Sequence, residues 1–218
     1  MSSIYKKYRL LAFDWDGTLC DSIGPIVNAF QQTALQFNYP CPSAETIKAG
    51  IGLEFDQSCR AVLPDCDDKL SDIRADFVQR YAQISKELFP DVKNVLKKLQ
   101  ENHFHLAIST GMGKKGIDQA IKTSGLEEVF DVVLTAECTR SKPHPMMLEQ
   151  LMDHFSLESS EVLMIGDAVW DIQMAHNAGV DAVAIASGAV SKEDLLKEKP
   201  LYMIDGIAGL LSCLDINV

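Results

Sequence analysis

The sequence predicts an α/β protein: a parallel sheet wound on both faces by helices, with an all-α segment inserted near its start. Three observations carry this. Short apolar, β-branched runs recur along the 218 residues, helical patterns separate most of them, and one long stretch after the first run shows no strand. Strands that alternate with helices imply right-handed crossovers and a parallel sheet covered on both faces.

The first strand is Leu10–Phe13. From Ser22 to Leu88 the chain is far too long for a loop and reads as helical. Ile26, Phe30, Ala34 and Phe37 keep helical spacing and must stop near Tyr39–Pro40, because proline restricts the residue before it. Leu70, Ile73, Phe77, Tyr81, Ile84 and Leu88 step by three or four, which extends one apolar stripe over about five turns. Val92, Val95, Leu96 and Leu99 mark the next helix and lead into a strand at Leu106–Ile108. Strands at Val132–Leu134 and Val162–Ile165 follow, with Met146, Met147 and Met152 read as the core of the helix between them. Ile172, Ala175 and Ala178 form a stripe that ends at Gly179, a suitable residue just past a helix C-terminus. Val183–Ile185 and Tyr202–Ile204 complete the strands. At roughly 150 residues per domain the length is about a domain and a half. That division predicts a doubly wound, Rossmann-like core of residues 1–21 and 89–218, with a helical cap of residues 22–88 hinged at Cys20–Gly24 and Phe89–Asp91.

Composition excludes several classes. Hydrophobic residues at 47% and charged residues at 23% suit a folded globular chain. Twenty basic against 31 acidic residues give a net charge of −11, which repels a nucleic-acid backbone. Met1–Arg9 is mildly basic, but Asp14 ends the apolar run that follows it. That run is too short for a secretory signal or a membrane span. The six cysteines form no C-x-x-C pair and read as reduced thiols. A cytoplasmic protein with no membrane, nucleic-acid or evident protein partner is the expectation.

Three strands end in polar residues: Asp14-Trp15-Asp16-Gly17-Thr18 after the first, Ser109-Thr110-Gly111 after the second, and Gly166-Asp167 after Ile165. Ligands bind outside the carboxyl ends of strands in such sheets. Asp171 lies one helical turn beyond Asp167, so both carboxylates can face one side. Asp14, Asp16, Asp167 and Asp171 would repel one another by about 1–4 kcal/mol per close pair, so a cation belongs among them. An all-oxygen set with no thiolate or imidazole suits Mg²⁺. Lys142, in the stiff Ser141-Lys142-Pro143-His144-Pro145 turn, can hold an anion in the same crevice, and His144 shapes that turn. Backbone N–H groups near Asp16 and Gly17, and those after Thr110 where Gly111 opens the backbone, can form a nest for phosphate oxygens.

Asp14-x-Asp16-Gly17-Thr18-Leu19, Thr110, Lys142 in S-K-P-H-P and Gly166-Asp167-x-x-x-Asp171 resemble, in order, the four signature motifs of the haloacid dehalogenase-like hydrolase superfamily. The likeness covers nearly the whole chain. The insertion resembles the helical cap of its phosphoglycolate phosphatase-like and pyrophosphatase-like branch, and Ala49-Gly50-Ile51-Gly52-Leu53 resembles the loop such caps lower over substrate. The resemblance implies a Mg²⁺-dependent phosphohydrolase of small phosphorylated metabolites. Asp14 would be the nucleophile that forms an aspartyl-phosphate, Asp16 the general acid and base, and Thr110 and Lys142 the grip on the phosphoryl group. Mg²⁺ would be held by Asp14, the Asp16 carbonyl and Asp167, with Asp171 in support.

Ala168 stands where many relatives carry Ser or Thr. Asp16 argues against dehalogenases and transport ATPases, which lack a carboxylate there. A phosphomutase of the beta-phosphoglucomutase type keeps it and is one alternative. A receiver-like phosphoacceptor domain is the alternative from another class, although receivers are shorter and lack the insertion. For substrate selection the candidates are Trp15 between the two aspartates, Gly52 in the cap loop, and Arg60, with Lys48 beside it. The rival readings are packing under the cap for Trp15 and a solvated surface for Arg60 and Lys48. His103 and His105 read as one side of a half-exposed strand edge.

Overall fold

The computed structural model describes residues 7–216, so most of the basic Met1–Arg9 stretch lies outside the described residues. The strands are β1 (Leu10–Phe13), β2 (Cys20–Asp21), β3 (Glu87–Leu88), β4 (His105–Thr110), β5 (Val132–Thr135), β6 (Val162–Gly166), β7 (Asp181–Ile185) and β8 (Tyr202–Ile204). Between β2 and β3 lie α1 (Ile23–Gln36), α2 (Ala44–Lys48), α3 (Phe55–Val62) and α4 (Leu70–Gln83). The remaining helices are α5 (Val92–Glu101), α6 (Lys114–Ser124), α7 (Met146–Phe155), α8 (Val169–Asn177), α9 (Lys192–Lys197) and α10 (Gly209–Cys213).

Six strands form one sheet in the order β5-β4-β1-β6-β7-β8, and every neighbouring pair is parallel. The period-2 alternation of strand side chains sorts the core into two layers. Leu11, Phe13, Leu106, Ile108, Leu163 and Ile165 pack with α5, α6 and α10 on one face. Leu10, Ala12, Ala107, Val162 and Met164 pack with α7, α8 and α9 on the other. Both faces are dry, which is why the strands read as unbroken apolar runs. Phe13 is in register with Ile108 on one side and Ile165 on the other. The carboxyl ends of β4, β1 and β6 are therefore level, and β1 is where the chain's direction across the sheet reverses.

The helices between β2 and β3 have a separate apolar cluster that includes Phe30, Ala34, Ile47, Cys59, Leu63, Leu70 and Ile73. Helix α1 ends at Gln36, ahead of Asn38 in a left-handed conformation and of Pro40. The stripe expected to run from Leu70 to Leu88 stops earlier. Helix α4 closes at Gln83 and Ile84 is extended (ψ 131°). Two local forces end it. The Lys86 ammonium donates to the carbonyls of Tyr81 and Ile84, and Glu87–Leu88 pairs antiparallel with Cys20–Asp21. The stretch expected to be strand-free thus begins and ends at a two-residue ribbon, too short to carry a periodicity. The two histidines also separate: His103 is in a positive-φ turn, whereas His105 starts β4 and faces Asp131 at 3.4 Å. All six cysteines are free thiols. No helix among the described residues is long and apolar enough to cross a membrane.

Candidate active site

The turn after β1 sets the site. The Trp15 carbonyl accepts the N–H groups of Thr18, Leu19 and Cys20, which folds the chain back within a few residues. Gly17 makes this turn at φ +81°, and any side chain on it would overlap the Asp167 carboxylate. Asp14 thereby enters the crevice, 1% exposed. Trp15 corrects an expectation. It continues the Leu11, Phe13 side of β1 and is buried in that core layer, so the indole is shielded from any leaving group. The same alternation that separates Leu10 from Leu11 was the signal for it.

Lys142 is as buried as Asp14 and lies between two carboxylates. Its Nζ is 2.8 Å from Asp14 Oδ1 and 2.6 Å from Asp171 Oδ1. The Lys142–Pro143 peptide is cis. His144 supports the turn by accepting the Met146 N–H at Nδ1 (3.2 Å). Asp171 Oδ2 accepts the Ala168 N–H at 3.0 Å. Asp167 Oδ1 accepts the Thr18 hydroxyl at 2.6 Å, and its Oδ2 faces the Ala189 N–H at 3.4 Å. The Ser187-Gly188-Ala189 loop was not anticipated. A side chain on Gly188 would overlap Asp167, and Ser187 donates to the Gly17 carbonyl at 2.8 Å. It too follows the carboxyl end of a strand, β7, where the rule that exposed the other segments applied equally.

Asp14, Asp167 and Asp171 each offer an oxygen within 4.8 Å of the others. Burial pushes the Asp14 carboxyl up, to about 7, against the pull of the Lys142 ammonium. Burial, and then the charges of Asp14 and Asp171, raise Asp167 well above the usual carboxylate range. Burial works against the charge on Lys142, but Asp14 and Asp171 outweigh it and hold the ammonium protonated. Both Asp14 oxygens are buried without a hydrogen-bond donor; Lys142 supplies charge at 2.8 Å rather than an aligned bond. If all three carboxylates ionise, the single ammonium leaves two of their charges unbalanced. The donor set and the unsatisfied Asp14 oxygens therefore fit a hard divalent cation such as Mg²⁺.

The Asp16 carboxyl is not one of the three clustered carboxylates; the Tyr81 hydroxyl, from the helical insert, donates to its Oδ1 at 3.0 Å. Thr110 ends β4, and its Oγ1 accepts the Met112 N–H at 3.1 Å, which leaves the hydroxyl proton available to donate. The insert rests on the sheet through the loop before α3. The Trp170 indole N–H reaches the Ala49 carbonyl at 3.3 Å, and the Glu54 N–H donates to Ser141 Oγ at 2.9 Å. Gly52 (φ +95°) lies against Ala168 and Trp170. Beside this seam is a groove of about 500 Å³ lined by Leu53, Gln57, Lys142, His144, Trp170 and Asn177. Arg60 is not drawn into this assembly. It is exposed and paired with Asp67 at 2.8 Å on the insert itself.

The chain is similar to known proteins over nearly its whole length. A phosphoglycolate phosphatase of Vibrio parahaemolyticus is 28% identical over 221 residues, 96% of this chain and 97% of its own. The pyrophosphatase PpaX of Bacillus pumilus is 29% identical over 202 residues, 92% of this chain and 93% of its own. The crystal structure of a haloacid dehalogenase-like hydrolase from Bacteroides fragilis superposes with a TM-score of 0.86 at 26% identity, covering 94% of this chain and all of that one. Residues 11–185, most of the chain and every motif described, match the family profile, and the protein belongs to the haloacid dehalogenase-like hydrolases.

Proposed function

We propose that the protein is a Mg²⁺-dependent phosphatase of small phosphorylated metabolites and acts through an aspartyl-phosphate on Asp14. The observation that carries this is the Asp14 carboxylate, buried without a hydrogen-bond donor beside Lys142 and two further carboxylates. One Asp14 oxygen attacks phosphorus in line as the bond to the leaving oxygen breaks, and the Asp16 carboxyl protonates that oxygen. Asp16 then takes a proton from the water that attacks the acyl phosphate, releasing inorganic phosphate and restoring Asp14. Lys142, the Thr110 hydroxyl and the backbone N–H groups at Asp16 and Gly111 hold the equatorial oxygens, where the transition-state charge is spread; the Gly17 N–H, expected to join them, is instead donated to the Cys20 carbonyl at 2.9 Å. Asp14, Asp167 and the Asp16 carbonyl would hold Mg²⁺, with Asp171 in support; the ion supplies charge neutralisation between the nucleophile and the phosphoryl group.

In this reading residues 22–88 form a cap over a core of residues 1–21 and 89–218, and the loop through Gly52 screens the leaving group. The names of the relatives direct attention to phosphoglycolate-like monoesters and pyrophosphate. Free thiols throughout support a reducing, cytoplasmic setting. Phosphate release from phosphoglycolate, pyrophosphate, sugar phosphates and nucleoside monophosphates, with and without Mg²⁺, is the test. Turnover is expected only with the metal, and Asp14→Asn is expected to abolish it. Robust turnover by Asp14→Asn would rule out the mechanism, and sugar-phosphate isomerisation without phosphate release would rule out the reaction class.

A further inference from the structure

Tyr81 belongs to the last turn of α4, in the insert, whereas Asp16 belongs to the turn after β1 in the sheet domain. Their hydrogen bond, 3.0 Å from Oη to Oδ1, crosses from one to the other. Two side chains pack against the phenol ring. Phe77 stacks on it at 5.7 Å with an interplanar angle of 7°, and the Lys86 ammonium lies 4.0 Å from its centroid. That ammonium also ties down the carbonyls of Tyr81 and Ile84. The ring therefore has little freedom, and its hydroxyl has a defined direction. A hydroxyl that donates into Oδ1 leaves the acid proton of Asp16 to Oδ2. Together with the nearby Ser22 hydroxyl, which also bonds the Asp16 carboxyl, it fixes how that carboxyl is turned.

We propose that Tyr81 is a positioning residue: supplied by the insert, it orients the Asp16 carboxyl so that the proton is presented to the leaving oxygen. This rests on the nucleophile and acid–base roles proposed for Asp14 and Asp16. A positioned acid contributes about 10²–10⁴-fold when the leaving group needs a proton. p-Nitrophenolate departs without one, and an alkoxide does not. The consequence is a selective loss that a merely structural tyrosine would not produce.

The test compares kcat/KM, which reports only steps up to loss of the alcohol, for an alkyl phosphate and for p-nitrophenyl phosphate. Tyr81→Phe keeps the ring and removes the hydroxyl. It is expected to lower kcat/KM for the alkyl ester about tenfold or more and to change the aryl ester by less than about threefold. In an Asp16→Asn background the same substitution is expected to add nothing to the loss. An unchanged alkyl-to-aryl ratio, with Asp14→Asn inactive on both esters, overturns the role of Tyr81 while the proposed mechanism stands. Wild-type protein inactive on both esters, or an active Asp14→Asn, overturns that mechanism instead. If Tyr81→Phe does not fold, Phe77→Leu, which removes the ring stacked on the phenol without changing any charge near Asp16, takes its place. The ratio is then expected to shift in the same direction, and a constant ratio overturns the proposal.

Discussion

The carbonyl oxygen of Leu53 lies 2.5 Å from where a Cβ on Gly111 would be, and that of Gly52 lies at 2.7 Å. Gly111 directly follows β4 and Leu53 belongs to the insert, so this contact exists only with the insert seated on the sheet. A backbone carbonyl cannot swing aside as a flexible side chain can. Gly111→Ala is therefore expected to hold the insert away from the site while both parts stay folded. Overpacking of this kind costs about 1–3 kcal/mol, or roughly 5–150-fold in the closed population. Steady-state kinetics should show kcat/KM lowered within that range, and limited proteolysis should cut faster at the Cys20–Gly24 and Phe89–Asp91 joints. Wild-type kinetics and an unchanged cleavage rate would show that closure does not depend on this contact.

The carboxylate cluster predicts a thermal signature. A cation that binds only the folded state stabilises it by about 2.7 kcal/mol at a hundredfold excess over Kd, and each kcal/mol is about 2–4 °C in a chain of this size. Mg²⁺ is expected to raise Tm by several degrees. Asp167→Asn removes one of the clustered carboxylates and should abolish the rise. A rise of equal size in that variant would place the ion elsewhere.

The pH dependence of the metal-free protein follows from the same residues. Burial lifts Asp14 to about 7 in the folded protein, far above the unfolded value of about 3.9. The folded state then binds the proton more tightly than the unfolded one. The resulting stability is fully present below the unfolded pKa and is lost as pH rises through the folded one. Asp167, also raised mainly by burial, acts in the same direction. Denaturant unfolding in a chelator should show stability falling by about 1–3 kcal/mol or more between pH 5 and pH 8. Mg²⁺, which needs the ionised carboxylates, should flatten or reverse this trend. A metal-free stability that is flat or rises over this range would contradict the assignment.

Much of this arrangement was legible beforehand, for identifiable reasons. The four inner strands, β4, β1, β6 and β7, are short and almost wholly buried, so each holds a continuous apolar run, and a polar residue at its end is conspicuous. Asp14, Thr110 and Asp167 announce themselves that way, and Asp171 follows by helical spacing. What stayed hidden needed tertiary knowledge. Tyr81 lies on an apolar stripe and reads as core until the ribbon of Cys20–Asp21 with Glu87–Leu88 brings its hydroxyl to Asp16. Trp15 sits between two site aspartates but points the other way, because alternation outlasts the end of β1. Arg60 has the right charge and segment, yet its partner is Asp67. Thr18 reads as a turn residue until its hydroxyl is seen on Asp167.

That last bond supports a final prediction. The Thr18 hydroxyl donates to Asp167 Oδ1 at 2.6 Å, both groups being buried. It lowers an affinity for protons that burial otherwise raises, so it favours the ionised form that a cation requires. Thr18→Val keeps the shape and removes the donor. Groups that orient and ionise a metal's ligands are worth about 10–100-fold in metal affinity. The Mg²⁺ concentration for half-maximal activity is expected to rise by about tenfold or more, and kcat at saturating metal should change far less. The rise should shrink as pH increases, because alkali ionises Asp167 without help from the hydroxyl. A loss confined to kcat, with the Mg²⁺ requirement unchanged, would mean that Thr18 acts on the phosphoryl group rather than through Asp167.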